Sequence, residues 1–253
     1  MPHPSPPPKL LPQVIPPPDG RIVILTGAGI SKESGLETFR DAGGIWSQVR
    51  LEDVATPEAF ARDPVRCHAF YNMRRARHRQ ADVQPNAAHL ALVRLESAWP
   101  GEVMVVTQNV DSLHDRAGTR NLIHMHGIYS QARCNVCGDI TDCPGDLSVH
   151  DVCAVCKKPG GLRPNVVWFG ETPLEMERIY AALTDCDLFL SIGTSGNVYP
   201  AAGFVSVVRK ATQAHTAELN LEPSAGASRF AEAHYGPATQ TVPAYVEGLL
   251  QSL

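Results

Sequence analysis

Four short apolar runs that do not alternate with polar residues constrain the fold of this chain more than any other feature. They are Ile22–Thr26, Val103–Thr107, Asp187–Gly193 and Ala217–Leu221. A strand that is apolar on both faces must be covered on both faces, which is typical of a parallel sheet between layers of helices. Helices are predicted to begin after Asp63 and after Asn86, because both residue types are good N-caps. The alternation of strands and helices predicts a doubly wound α/β fold.

Composition narrows the class of protein. Of the 253 residues, 43% are apolar and 19% are charged, which is typical of a globular protein. The formal net charge of −4 argues against a general nucleic-acid binder. No apolar run approaches the about 18 residues that span a membrane. We therefore expect a protein with no membrane contact and no specific nucleic-acid partner.

The first 20 residues form a leader that is rich in proline. Nine of the first 18 residues are proline, and such a segment buries too little apolar surface to offset its ordering entropy. We predict that residues 1–20 are disordered, either as a spacer or as a ligand of an SH3-type domain. The prolines also exclude an apolar signal segment, which favours a cytoplasmic location. The ordered domain is predicted to cover residues 21–253.

Two Cys-x-x-Cys pairs predict a metal site. Cys134 and Cys137 form the first pair, Cys153 and Cys156 form the second, and 15 residues separate the pairs. This spacing is typical of zinc, and four thiolates leave no open position, so the zinc is predicted to be structural. Cys143 lies between the pairs and is either a packed thiol or an alternative ligand. The segment of about residues 131–162 has few apolar runs, so the metal would order it.

The first apolar run is followed by a glycine-rich loop. The residues after the strand read GAGISKESG from Gly27 to Gly35, and glycines there let the backbone approach a pyrophosphate. The usual G-x-G-x-x-G pattern fails because Lys32 occupies the position of its third glycine. Nucleotide binding and a purely structural turn both remain open. Arg40 is placed to pair with a phosphate or to form an ordinary surface ion pair.

Polar residues follow the second apolar run. Gln108, Asn109 and Asp111 come where the strand ends, and ligands of parallel sheets collect at that edge. A polar turn without a ligand is the alternative. His126 precedes a glycine, and an imidazole is the side chain best suited to accept a proton near neutral pH. A packed or exposed histidine is the alternative.

One helix carries a pair of residues suited to a carboxylate. Tyr71 and Arg74 are three positions apart and therefore share a helix face. A phenol beside a guanidinium can bind a carboxylate, with arginine in bidentate geometry. The alternative is a solvated basic helix, because Arg75, Arg77 and Arg79 continue the run.

Taken together, these motifs resemble those of the sirtuin family. The matching stretches, in the same order along the chain, are GAGIS (27–31), SGLETFR (34–40), TQNVDSLH (107–114), the His-Gly at 126–127, the two cysteine pairs, VVWFGE (166–171) and GTS (193–195). Within the family, the chain is most similar to bacterial deacylases of the desuccinylase branch, whose Tyr-x-x-Arg pair matches Tyr71 and Arg74. The resemblance covers residues 21–253.

The resemblance implies a Rossmann-type sheet with a helical insertion at about residues 36–80 and the zinc-binding insertion. It also implies a reaction that consumes NAD as a co-substrate. The acyl oxygen of a modified lysine attacks the ribose, nicotinamide leaves, and His126 acts as general base for a ribose hydroxyl. The products are lysine, nicotinamide and O-acyl-ADP-ribose. The implied partners are acyl-lysine proteins or peptides, and we expect a monomer.

Site residues follow from the same resemblance. His126 and Asn109 would be catalytic, Asn109 by ordering a water. The implied NAD-binding residues are Gly27, Ala28, Gly29, Ile30, Ser31, Phe39, Arg40, Trp46, Gln108, Asn109, Val110, Asp111, Gly193, Thr194, Ser195, Asn220, Leu221, Glu222 and Ala238. The implied substrate residues are Tyr71, Arg74, Ala55, Val167, Phe169, Gly170, Glu171, Gly196 and Val198. The peptide would add as a strand between 169–171 and 196–198.

Acyl preference is expected to include succinyl and malonyl as well as acetyl groups. Ala55 stands where acetyl-preferring relatives carry a bulkier side chain, although an ordinary packing role is the alternative. Glu37, Asp41 and the pair Ile128-Tyr129 depart from the commoner family residues. Two other functions remain open at this point, namely protein ADP-ribosyltransferase activity and a non-catalytic NAD sensor or scaffold.

Overall fold

The computed structural model describes residue 10, residues 12–37 and residues 49–253. Its strands, numbered along the chain, are β1 (Ile22–Thr26), β2 (Val103–Thr107), β3 (Leu122–His124), β4 (Gly127–Cys134), β5 (Ile140–Asp142), β6 (Leu162–Val166), β7 (Leu188–Ile192), β8 (His215–Asn220) and β9 (Glu232–Tyr235). Six of them form a parallel sheet in the order β3-β2-β1-β7-β8-β9, and β5-β4-β6 form an antiparallel sheet.

Helices alternate with the strands of the large sheet. They are α1 (Leu51–Val54), α2 (Pro57–Arg62), α3 (Pro64–His78), α4 (Ala87–Ala98), α5 (Leu113–Ala117), α6 (Met176–Leu183), α7 (Phe204–Ala211) and α8 (Ala238–Leu250). The predicted N-caps are confirmed, because the Asp63 side chain accepts from the backbone N–H of Arg66 and the Asn86 side chain accepts from that of Ala88. Among the described residues, no helix is long and apolar enough to cross a membrane.

Both faces of the large sheet are covered, as the unbroken apolar runs predict. In β1, Ile22 and Ile24 pack into a core with α4 and α8. The alternate residues Val23 and Leu25 pack into a second core, with α6 and α7. Successive side chains of a strand point to opposite faces, so two layers of helices bury every position of the run. The predicted doubly wound α/β fold is confirmed.

A third apolar cluster joins the helices α1–α3 to the small sheet. Ala55, Phe60 and Tyr71 from the helical region pack against Tyr129 of β4 and Trp168, which follows β6. The helices therefore rest on the antiparallel sheet, and the two together face the carboxyl ends of the parallel strands. The domain bounds given above stay predictions.

Residues 12–20 lie against the domain, although composition placed them in a disordered leader. Pro12 and Pro16 are buried. The backbone N–H of Gln13 donates to Glu232 Oε2 at 3.1 Å, and the indole N–H of Trp99 donates to the carbonyl of Gly20 at 2.8 Å. The partners lie far along the chain, so no local pattern announces these contacts.

Candidate active site

A cleft of about 1190 Å³ opens at the carboxyl ends of β1, β2, β7 and β8, where ligands of open parallel sheets bind. Most of the residues proposed from sequence line it: Gly27, Ala28, Gly29, Ala55, Tyr71, Gln108, Asn109, Val110, His126, Val167, Phe169, Gly170, Glu171, Gly193, Thr194, Ser195, Val198, Asn220, Leu221, Glu222 and Ala238. This volume exceeds the about 300–1,000 Å³ of an ordinary small-molecule pocket, which leaves room for two ligands.

The remaining proposed residues lie elsewhere. Ser31, Arg74 and Asp111 line a small side pocket, which shares Ala28, Asn109 and Val110 with the cleft. Ile30 is fully buried in the core beneath the loop. Three proposed residues lie outside the described part of the chain, together with the departure Asp41: Phe39, Arg40 and Trp46.

Two glycine-bearing loops pack backbone against backbone at the floor of the cleft. The N–H of Gly29 donates to the carbonyl of Gly193 at 2.9 Å. A Cβ on Gly29 would lie 2.7 Å from the Cα of Gly193, whose φ of +63° also disfavours any side chain. The glycines after β1 and β7 are therefore required by this close approach, and they leave the loop backbone open to the cleft.

His126 presents one imidazole nitrogen as an acceptor. Its Nδ1 lies 3.0 Å from the carbonyl oxygen of Gln108. A carbonyl only accepts, so Nδ1 carries the proton of the neutral ring and Nε2 is unprotonated. Burial lowers the pKa of His126 below its ordinary value, while the bond to Gln108 partly opposes this. The ring is thus held as a neutral base on the wall of the cleft.

A buried chain of hydrogen bonds runs behind the cleft from Asn109 to Asp111. The Asn109 amide donates to the carbonyl of Gly27 at 3.2 Å and to Ser31 Oγ at 3.1 Å. Ser31 in turn donates to Asp111 Oδ2 at 3.0 Å, and the backbone N–H of Leu113 donates to Asp111 Oδ1 at 2.9 Å. Burial raises the pKa of Asp111, and these two bonds oppose the rise. The chain fixes the Asn109 side chain between the cleft and the side pocket.

Tyr71 and Trp168 form the apolar wall opposite the sheet. Tyr71 is 5% exposed, and its hydroxyl accepts a hydrogen bond from the indole N–H of Trp168 at 2.8 Å. Ala55 lies on the same wall, because its carbonyl accepts from the backbone N–H of Phe169 at 3.0 Å. Burial raises the pKa of Tyr71 well above its ordinary value, so the phenol stays protonated.

Arg74 does not share the lining of the cleft with Tyr71, although the two share a helix. It lines the side pocket with His78 and Asp111, and its buried Nε has no hydrogen-bond partner among residues 12–37 and 49–253. Arg74 also acts on Tyr129, where burial raises the pKa of the phenol and the charge and hydrogen bonding of Arg74 oppose that rise. Side chains three positions apart on a helix point only about 60° apart, so it is packing that separates these two, Tyr71 against Trp168 and Arg74 toward the side pocket.

Glu171 is fully engaged by the protein. Its Oε1 pairs with Arg163 at 2.7 Å and with Arg133 at 3.2 Å, and its Oε2 accepts from the backbone N–H of Trp168 at 2.8 Å. The guanidinium of Arg163 also lies over the Trp168 ring, 3.8 Å from its centroid. The carboxylate therefore holds the Trp168 backbone in place.

The far end of the cleft is formed by the loops after β7 and β8. The Asn220 amide donates to the carbonyl of Thr194 at 2.8 Å, and the N–H of Ala225 donates to the carbonyl of Ser195 at 3.1 Å. Gly196 adjoins this seam, because a Cβ there would lie 3.2 Å from Ser224 Oγ. These bonds tie the two loops into one wall.

Sequence reasoning missed three residues at the site. Trp168 lay inside a quoted motif without a role, yet a buried indole N–H usually needs an acceptor, and that rule could have identified it. Tyr129 entered only as a departure from the commoner residue. Glu33 lines the cleft and carried no local signal, because its partner Thr239 is 206 residues away.

The four cysteines of the two pairs come together as predicted. Their sulfurs all lie within 4.8 Å of one another, and the Sγ atoms of Cys134 and Cys156, like those of Cys137 and Cys153, are 3.7 Å apart. A tetrahedron with Zn–S bonds of about 2.3 Å has edges of about 3.8 Å. The four thiolates therefore fit one zinc ion, which would order the segment with no water-exchange position. The Cys143 thiol instead donates to the carbonyl of Gly145 at 3.4 Å.

Comparisons with known proteins agree with these features. A protein from Escherichia coli named NAD-dependent protein deacylase is 54% identical over 245 residues, which cover 97% of this chain and 87% of that protein. One of the same name from Salmonella typhimurium is 56% identical over 233 residues, covering 92% and 85%. A protein of this name from Vibrio vulnificus is 55% identical over 232 residues, covering 92% and 94%.

Solved structures give the same result. A Sir2 homologue in complex with ADP-ribose has a TM-score of 0.84 and 33% identity, covering 92% of each chain. A Sir2 homologue with NAD has a TM-score of 0.81 and 33% identity, covering 92% of this chain and 90% of that chain. The Sir2 family profile matches residues 27–200. The chain belongs to the Sir2 family.

Proposed function

We propose that this protein is an NAD-dependent protein-lysine deacylase that removes acetyl groups and the acidic succinyl and malonyl groups. The observation that carries the proposal is the imidazole of His126 on the wall of the cleft, with Nδ1 bound to the carbonyl of Gln108 and Nε2 without a partner among the described residues. Relatives at 54–56% identity carry the name NAD-dependent protein deacylase, which supports the reaction class.

NAD would supply the glycosidic bond that is broken in the reaction. When nicotinamide leaves, the ribose carbon becomes open to attack by the acyl oxygen. The residues of the chain would hold NAD in place and would deprotonate a ribose hydroxyl. The backbone of the loop at Gly27–Gly29 and that of Gly193–Ser195 would hold the diphosphate. The wall at Asn220–Glu222, with Ala238, would hold the adenosine end. One water enters, and the products are free lysine, nicotinamide and O-acyl-ADP-ribose.

His126 would accept a proton from a ribose hydroxyl at Nε2. The carbonyl of Gln108 then receives a hydrogen bond from the imidazolium Nδ1–H, which partly stabilises the charge. The Asn109 side-chain amide donates to the carbonyl of Gly27 and to Ser31 Oγ. Its Oδ1 would accept a hydrogen bond from a water in the cleft. Asp111, at the side pocket, would receive the carboxamide of nicotinamide.

An acidic acyl group would meet Tyr71 first and Arg74 behind it. Tyr71 offers a protonated hydroxyl at the cleft wall. In the neighbouring side pocket, Arg74 offers a buried Nε–H that has no partner in the part of the chain that the structure describes. A hydrogen bond to a charged group contributes about 1.5–3 kcal/mol, which corresponds to about one to two decades of selectivity. Ala55 leaves space beside them.

The test compares succinyl-, malonyl- and acetyl-lysine peptides with Arg74→Met. We expect desuccinylation to fall by about 10- to 100-fold more than deacetylation. Arg66→Met is the matched control, because Arg66 lies on the same helix and pairs with Asp53 at 3.0 Å, away from the cleft. Equal losses on all three peptides would remove the carboxylate role from Arg74.

The reaction class has its own test. His126→Tyr should abolish the formation of free lysine and O-acyl-ADP-ribose, because His126 is the proposed base of the step that follows the loss of nicotinamide. Binding of NAD by the unaltered protein, with no release of nicotinamide in the presence of acyl-peptide, would favour a sensor. Transfer of labelled ADP-ribose to protein without loss of acyl groups would favour a transferase. Acyl-lysine proteins or peptides are the proposed partners, a monomer is the proposed state, and the cytoplasm, which keeps zinc-binding thiols reduced, is the proposed location.

A further inference from the structure

We propose that Trp168 is a positioning residue for acyl specificity, because its indole N–H directs the hydroxyl proton of Tyr71 into the cleft. This inference rests on the proposed function, and it names a residue that acts on the substrate through another. It makes the choice between acidic and neutral acyl groups depend on an indole that itself donates nothing to the substrate.

The direction of the bond between the two side chains is unambiguous. An indole nitrogen only donates, so at 2.8 Å Trp168 must donate to the Tyr71 oxygen. The Tyr71 oxygen accepts this bond with one lone pair, and the hydroxyl still carries its own proton. Among the described residues, the Tyr71 hydroxyl makes no second hydrogen bond, and Tyr71 is one of the residues that line the cleft. The proton is therefore left for a ligand in the cleft to accept.

The indole is held firmly enough to impose this direction. Trp168 is 3% exposed, and the Arg163 guanidinium covers one face of its ring at 3.8 Å. The Phe60 ring packs against it with centroids 5.3 Å apart. The backbone N–H of Trp168 is bound by Glu171, which two arginines hold in turn. The bond to Glu171 fixes the Trp168 backbone, and rotation of the indole would break its contacts with the Arg163 guanidinium and the Phe60 ring.

The consequence differs between acyl groups. A succinyl or malonyl carboxylate accepts hydrogen bonds, so a hydroxyl already aimed at it binds without first losing rotational freedom. The methyl end of an acetyl or butyryl group accepts nothing, so the orientation of the hydroxyl contributes nothing to it. Loss of the indole N–H should therefore lower activity on acidic acyl groups more than activity on neutral acyl groups, and so change the ratio of the two.

The experiment measures kcat/KM for succinyl-lysine and butyryl-lysine peptides with Trp168→Phe. These acyl groups have the same number of carbons, and only one ends in a carboxylate. We expect the succinyl-to-butyryl ratio to fall by about 3- to 10-fold, the range of one oriented hydrogen bond. Trp99→Phe is the matched control, since it also removes one buried indole N–H bond, to Gly20, but on the far side of the domain.

A double variant separates positioning from packing. Tyr71→Phe should lower the ratio by itself, and adding Trp168→Phe to it should lower the ratio no further, because both changes remove the same bond. A full additional fall in the double variant would overturn the proposal. So would an unchanged ratio in Trp168→Phe when Tyr71→Phe lowers it. If Arg74→Met also leaves the ratio unchanged, the proposed acyl preference itself fails.

A spectroscopic measurement decides the matter even if Trp168→Phe does not fold. The three tryptophans give three indole N–H signals in a nitrogen–proton correlation spectrum, and Trp46→Phe and Trp99→Phe leave the Trp168 signal identified by elimination. We expect this signal to shift in Tyr71→Phe, and to shift more with a succinyl-lysine peptide than with a butyryl-lysine peptide. An equal response to both peptides would overturn the proposal.

Discussion

The carboxylate of Glu33 binds Thr239 twice, accepting from its backbone N–H at 2.9 Å and from its hydroxyl at 2.6 Å. Glu33 lies on a short 3₁₀ helix, Ala28–Ser34, that follows β1, and Thr239 is in the first turn of α8. An acceptor at a helix N-terminus satisfies a backbone N–H that has no partner within the helix. A negatively charged acceptor there also interacts favourably with the positive end of the helix dipole. This pair therefore fastens the loop proposed to hold the diphosphate to the helix that carries Ala238.

We predict that Glu33→Ala raises the KM for NAD about 3- to 10-fold, with a smaller change in kcat. Loss of a capping interaction costs about 1 kcal/mol, and here it would loosen two walls of the NAD end together. Steady-state kinetics with varied NAD would measure this. Glu33→Gln is the control, since its amide oxygen still accepts one bond. A KM for NAD that stays the same in Glu33→Ala would contradict the role.

The pH dependence of the reaction should follow His126. Burial lowers the pKa of its imidazole from 6.5, so the neutral, basic form persists to more acidic pH than for a free histidine. We expect the acid limb of kcat/KM to fall below pH 6.5. A profile of kcat/KM between pH 5 and pH 9 would show it, and a midpoint above pH 6.5 would mean that the charged form is favoured instead.

Stability in mild acid should depend on His89, which is fully buried and contacts the His114 ring with centroids 4.9 Å apart. Burial lowers the pKa of His89 to about 4. Its contribution to stability is complete above pH 6.5, where the unfolded residue is also neutral, and is lost as the pH falls from 6.5 toward 4. The loss is on the order of 3 kcal/mol.

His89→Gln should remove that pH dependence. The His89 Nδ1 accepts from the backbone N–H of Asn86 at 3.3 Å, and glutamine also serves at this third helical position of a capping box without titrating. Urea unfolding of both proteins at a series of pH values would give the difference in their free energies of unfolding. In that difference the effects of groups that do not contact His89 cancel, and what is left reports His89 with its neighbour His114. Parallel curves from pH 6.5 to 4 would refute the assignment.

Removal of zinc should disorder the small sheet and reduce activity. β4 contains Cys134 at one end and begins at Gly127, directly after His126, at the other. Loss of the metal should therefore loosen the strand and displace His126. We expect one zinc per chain by metal analysis, and loss of both zinc and activity in Cys137→Ser. Cys186→Ser, at a buried thiol outside the cluster, is the control and should retain the metal. Less than about one zinc per folded chain would disprove the four-thiolate site.

Shortening the leader should affect stability in two stages. Removal of residues 1–11 should be silent, whereas removal of residues 1–20 should cost about 1–3 kcal/mol, because it leaves the buried Trp99 indole N–H without its acceptor. The KM for NAD should be unchanged in both deletions, because Gly20 precedes the amino end of β1 and the cleft lies at the carboxyl ends of the strands. Equal denaturation midpoints for the two deletions would show that residues 12–20 contribute nothing.

Much of the fold and of the site could be read from local patterns. The unbroken run of β1 implied a sheet covered on both faces, since each of its positions needs an apolar neighbour. The spacing of Cys134, Cys137, Cys153 and Cys156 implied one metal site, because short turns hold each pair together. Ordered motifs then implied the Sir2 family and most of the residues that line the cleft.

The tertiary structure alone decided how the side chains meet. It separated Arg74 from Tyr71 on one helix, joined Tyr71 to Trp168 across 97 positions of the chain, and tied Glu33 to Thr239 across 206. A periodic apolar pattern follows from the geometry of a single element and is therefore visible in sequence. A hydrogen bond between distant elements depends on how those elements pack and on which rotamers the packing allows, and neither is encoded by neighbours along the chain.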